Sequence, residues 1–193
     1  MDDVSVIPNR AAFFDAATVG PFNGSLEPSQ AAGISTLLDC WGRKPELQDP
    51  RWLAYMLATM AFETGFTMQP VEEPGKGSGY AYGIPDVDTG QCYYGRGYVP
   101  LRWAWNYNNW SRSMGKDFLR NPELALQPDI AAIILVEGLK HGLLTGIALG
   151  DCISDAVDDP LRARQCVAVV PDHAEEIAEM HVSFLEAIQR VKA

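Results

Sequence analysis

Ala61-Phe62-Glu63-Thr64-Gly65 and, further on, Tyr93-Tyr94-Gly95-Arg96-Gly97-Tyr98-Val99 are the two stretches on which the fold of this chain turns. The first sets a single carboxylate at the end of an apolar run in which Leu53, Met56, Leu57 and Met60 recur at helical spacing. Asp49 is an N-cap candidate, Pro50 fits the first helical position and Gly65 fits a C-terminal cap, so a core helix closing near Glu63 is expected. The second stretch interleaves glycine with tyrosine and reads as a strand or turn, not as helix.

Outward from these stretches the pattern is mostly helical. Helices are expected over 10–18, stopped by Gly20-Pro21, and after Ser25 and Pro28, with Ile34, Leu37, Leu38 and Trp41 on one face. Between 67 and 99, glycines and prolines alternate with Tyr80, Tyr82 and the tyrosines of the second stretch, which predicts loops and a small hairpin. Helices resume over 101–114 and 129–141, with short pieces around 151–157 and 161–169. A last helix over 172–191 repeats Ile177, Met180, Phe184, Leu185 and Ile188. The expected fold class is mainly α (α+β): several helices with a small β-hairpin and loop lobe lining a cleft, in one domain over 1–193.

The chain has 193 residues and a net charge of −10, with no Lys/Arg cluster, which argues against nucleic acid and against an anionic membrane surface as partners. No apolar run approaches the roughly 20 residues that span a bilayer. Met1-Asp2-Asp3-Val4 lacks the basic and apolar segments of a secretory signal. Cys40, Cys92, Cys152 and Cys166 are scattered without a CxxC pair; buried free thiols are the first expectation and disulfides the second. His141, His173 and His181 show no metal-ligand spacing, and neither metal nor cofactor is implied.

A lone glutamate between apolar neighbours, at a helix-to-loop junction, suits one kind of chemistry. Glycosidic bonds are cut by a carboxylic acid that protonates the leaving oxygen and a second carboxylate that activates water or stabilises the cation. An apolar surround favours the protonated form that such an acid needs. Glu63 follows Met60-Ala61-Phe62 and precedes Gly65-Phe66, and Tyr rings nearby offer flat faces to the C–H surface of a sugar.

From 52 to 185 the chain resembles the lysozyme-like, chitinase-like glycoside hydrolases of family nineteen, especially compact phage endolysins. The likeness rests on Glu63-Thr64-Gly65, Met68-Gln69-Pro70-Val71-Glu72-Glu73, the Tyr93–Val99 element, Trp103, Asn106-Tyr107, Asn121-Pro122-Glu123-Leu124-Ala125-Leu126 and Pro128-Asp129-Ile130-Ala131-Ala132, all in order. It implies Glu63 as proton donor and Glu72 as second carboxylate, with Glu73 as its substitute. Tyr94, Arg96, Tyr98 and Asn106 would join Glu73 in binding substrate. The implied substrate is peptidoglycan or a related glycan with β-1,4 links between N-acetylated sugars. Residues 1–49 lie outside the resemblance, and 50–193 form its core.

The departures fall at the expected site. Phe62 stands where the family has His, Pro100 where it has Gln, Arg102 where it has Ser or Thr, and Ala168 in the stretch where it has Asn. Arg102 is expected to pair with Glu63 or Glu72 and hold it ionised. Two functions follow: an endolysin or muramidase of weak or lost activity, and a degenerate lysozyme-like part of a phage particle with other phage structural proteins as partners. The first implies a protein made in the host cytoplasm that reaches the wall without a signal peptide, the second one incorporated in a virion.

Overall fold

The third helix organises the molecule. In chain order the elements are α1 (Arg10–Val19), α2 (Pro28–Gly42), α3 (Pro50–Glu63), β1 (Val71–Glu72), β2 (Arg96–Gly97), α4 (Ala104–Met114), α5 (Pro128–His141) and α6 (Ala174–Arg190). The computed structural model describes residues 6–170 and 172–191; the stretch 1–4, read above for a signal, lies outside them. Every residue of α3 from Leu53 to Ala61 is buried, so this helix is enclosed on all sides. α6 packs along it, α1 packs on α6, and α2 packs on α5. Val6, Ile7, Phe13, Ile34 and Leu37 belong to the same core as α3, so the segment outside the sequence resemblance helps to close that core.

Asp49 caps α3 by accepting the Arg51 N–H at 2.9 Å, as its sequence position predicts. The C-cap is Thr64, one residue before Gly65; its N–H reaches the Met60 carbonyl. Gly65, Phe66 and Met68 then all take positive φ, at about 1–3 kcal/mol for each of the two non-glycine residues. The surroundings hold this turn in place. Phe66 N–H donates to the Ala61 carbonyl at 2.7 Å, and the Gln30 and Gln69 amides tie the turn to α2 through the Phe66 and Ser29 carbonyls.

Gly33 on α2 permits this close approach: a Cβ there would lie 1.7 Å from the Met68 carbonyl oxygen. Gly33→Ala is therefore expected to cost about 2–3 kcal/mol and to lower the melting temperature by several degrees. Thermal denaturation followed by circular dichroism checks this, and an unchanged melting temperature contradicts the packing.

The expected small hairpin is present, and two expectations about helices are corrected. The hairpin is a two-stranded antiparallel pair, Val71↔Gly97 and Glu72↔Arg96, whose strands are joined by a long stretch containing two 3-10 turns. α4 starts at Ala104, because Trp103 before it has φ +73 and cannot belong to a right-handed helix. The pieces near 151–157 and 161–169 reduce to 3-10 turns, Leu149–Asp151 and Arg162–Cys166. Among the described residues no helix is long and apolar enough to cross a membrane.

Candidate active site

Side chains alternate across a strand, so Val71 and Glu73 share one side of the β1 segment while Glu72 faces the other. A cavity of about 80 Å³ opens on the Val71 side, lined by Glu63, Val71, Glu73, Gly95, Pro100 and Arg102 among others. The structure thus brings Glu63 and Glu73 to one cavity. Glu72, the first choice for second carboxylate, is not among the lining residues. It binds Lys76 Nζ at 2.8 Å and accepts from the Tyr94 hydroxyl, with Arg96 Nε 4.0 Å away. The Lys76 ammonium, then Tyr94, hold its carboxyl below the usual range.

Glu73 is held from three directions. Arg102 Nε donates to Oε2 at 2.7 Å, the Gly95 N–H donates to the same oxygen at 2.8 Å, and the Tyr82 hydroxyl donates to Oε1 at 3.0 Å. Burial works to raise this carboxyl, but the Arg102 contact and the other donors outweigh it and leave the group below its ordinary value. A Cβ at Gly95 would meet Glu73 Oε2 at 2.7 Å and push that carboxylate from its place. Arg102 therefore does pair with a carboxylate, but with Glu73 instead of Glu63 or Glu72.

The arginine at Glu63 is Arg164. Its guanidinium, 5% exposed, donates through Nη1 to Glu63 Oε1, through Nε to the Asp172 carbonyl at 3.0 Å and through Nη2 to the Asp172 carboxylate at 3.1 Å. Burial works against this charge, but Glu63 and Asp172 outweigh it and raise the guanidinium above its ordinary value. Phe62, at the position where His was expected, lies with its ring centre 5.4 Å from the Arg164 guanidinium and 5.0 Å from the tilted His173 ring. Sequence reading missed Arg164 because the contact spans 101 residues and the 3-10 turn Arg162–Cys166 carries no motif.

The other sequence-selected residues do not line the cavity. The Arg96 guanidinium is buried, stacks 3.6 Å from the Tyr94 ring centre, and donates to the Cys92 and Tyr94 carbonyls and the Tyr107 hydroxyl. It ties the loop lobe to α4. Tyr98 is 0% exposed and packs in the core, so it does not line a sugar site. Asn106 is buried in the first turn of α4 and its Oδ1 has no partner among the described residues; it is not among the cavity residues.

The exposed aromatic surface is formed by other residues. Tyr80, 61% exposed, stacks parallel on Tyr82 at 5.1 Å, and Trp103, 43% exposed, meets Tyr82 edge-on at 5.1 Å. This ledge adjoins Glu73 through the Tyr82 hydroxyl.

Asp86 caps its own turn through Thr89 and Asp88 and does not face the cavity. A larger cavity, about 310 Å³, lies around Trp52 at the other end of α3, where Glu46 is paired with Lys140 and Asp49 with Arg51. Among the described residues no group of three or more His, Cys, Asp or Glu side chains is arranged to hold a metal ion.

No family model matches the chain. A segment of 44 residues, 23% of the chain, is 41% identical to an endochitinase of Brassica napus and spans 14% of that protein. Across its length the structure is similar to a mutant of chitinase C (TM-score 0.63, 18% identity, covering 98% of this chain and 95% of that one). It is similar also to chitinase C from Streptomyces griseus (0.61, 19%, 97% and 95%) and to a bacterial family 19 chitinase (0.50, 19%, 95% and 95%). The fold is that of the family 19 chitinases. The chitinase fold takes in α1 and α2 as well, which the sequence resemblance had left out.

Proposed function

We propose that this chain is a glycoside hydrolase that cuts β-1,4 links between N-acetylated sugars, as in peptidoglycan or a related glycan. The supporting observation is the cavity shared by Glu63 and Glu73 beside an exposed aromatic ledge. The chitinases that share its fold add weight to a glycan substrate. Glu63, when protonated, donates to the leaving oxygen. Glu73, kept ionised by its three donors, stabilises the positive charge that develops at the anomeric carbon. The ledge of Tyr80, Tyr82 and Trp103 covers the apolar face of a sugar ring.

The same geometry makes the reaction slow. A carboxylate whose oxygens are already taken by Arg102, Gly95 and Tyr82, and whose charge Arg102 offsets, does less to stabilise that positive charge. Arg102→Ser removes the strongest of these contacts and is expected to raise turnover by on the order of 10-fold. The check is the rate of reducing-end release from purified peptidoglycan and from glycol chitin. A rate unchanged or lowered in a variant with native melting removes Glu73 from the reaction.

A second reading is a glycan-binding protein without turnover, built into a phage particle. It is favoured by the engagement of both cavity carboxylates by arginines, Arg164 on Glu63 and Arg102 on Glu73. This reading expects retention on wall fragments without bond cleavage and a fixed ratio to other particle proteins. The first reading, as a phage or prophage endolysin, expects soluble protein that clears walls.

A further inference from the structure

Cys152 follows the 3-10 turn Leu149–Asp151, and Cys166 ends the turn Arg162–Cys166. Both side chains are 0% exposed, and their sulfurs lie 4.0 Å apart. The backbone between them folds back on itself: Asp159 N–H donates to the Cys152 carbonyl at 2.8 Å, and Ile153 bridges Asp158. Cys40 lies on α2 and Cys92 ahead of β2, so the fold selects one pair from four scattered thiols. Neither member of the pair lines the cavity. Cys166 does lie two residues from Arg164, the side chain that holds Glu63.

We propose that Cys152 and Cys166 are a disulfide site, joined when the chain folds in contact with a small disulfide of the glutathione class. One cysteine thiolate attacks the small disulfide and expels one of its halves as a thiol. The thiolate of the other cysteine then attacks the protein sulfur of the mixed disulfide and expels the second half. Two protons and two electrons leave the protein, and the small disulfide is reduced to two thiols. The sulfurs must close by roughly 2 Å from their contact distance to reach bond length. Burial pushes both thiols up and shields them from attack, so exchange runs through the folding chain and is slow once the core has closed. The bond closes the loop that carries Arg164 and restricts the unfolded chain, which raises the melting temperature on the order of 5–10 °C.

The test is to refold the reduced full-length chain from urea in a glutathione redox buffer, beside a sample kept folded in the same buffer. Mass spectrometry and peptide mapping follow, then melting with and without dithiothreitol. The expected result is a refolded chain lighter by two hydrogens, with Cys152 linked to Cys166 and a melting temperature that falls on reduction. The Cys40→Ala/Cys92→Ala variant is expected to form the same bond. The proposal is overturned if the pair stays reduced after refolding, if either member is linked to Cys40 or Cys92, or if the linked form melts no higher than the reduced one. Mass and melting are read without any glycan, so the outcome is independent of the hydrolase reading.

Discussion

Glu63→Gln is expected to lower glycan cleavage by on the order of 10²–10⁴-fold while leaving the fold intact. The amide keeps the size and one acceptor oxygen of the carboxylate, so Arg164 still has a partner there as well as Asp172. It cannot deliver a proton to the leaving oxygen, which is the role that the helix-end position of Glu63 serves. Reducing-end kinetics measure the loss, and a melting curve close to wild type separates a chemical loss from a structural one. Full activity in the variant would remove Glu63 as the acid.

Arg164→Ala carries the largest expected cost in stability. Its guanidinium is buried and makes contacts with Glu63, the Asp172 carbonyl and the Asp172 carboxylate. Removing it leaves a carboxylate with 15% of its side chain exposed and no countercharge, beside the space the arginine filled. Breaking a buried pair from one side costs about 3–5 kcal/mol, and the partial exposure of Glu63 puts this case near 3. The melting temperature should then fall by roughly 6–12 °C. Arg120→Ala is the comparison: its pair with Asp117 is exposed, and its loss should cost less than about 1 kcal/mol. Urea denaturation of the two variants side by side checks the contrast, and equal costs would contradict a buried clamp at Glu63.

The fold was legible wherever a local signal coincided with a core element. Asp49, Pro50 and the apolar spacing from Leu53 to Met60 mark α3 because capping and periodicity act within a few residues. Gln69, quoted as part of a motif, turns out to anchor the turn after Glu63 to α2, a long-range role that spacing alone does not reveal.

The site was less legible, for two physical reasons. Strand alternation decides that Glu73 and not Glu72 reaches the cavity, and two adjacent glutamates look alike until the pairing Glu72↔Arg96 is known. Contacts distant in sequence decide the rest. Arg164 and Arg102 choose their carboxylates through packing between separate elements, and Tyr98 is buried in the core while Tyr80 and Trp103 are exposed.

The most direct measurement is reducing-end release by the wild-type protein from two polymers, purified peptidoglycan and glycol chitin, over a wide range of enzyme concentration. Cleavage of at least one polymer, slow, proportional to enzyme and absent in Glu63→Gln, is the predicted result. Binding to either polymer with no bond cut at any concentration would contradict a hydrolase and leave the glycan-binding reading of the same cleft.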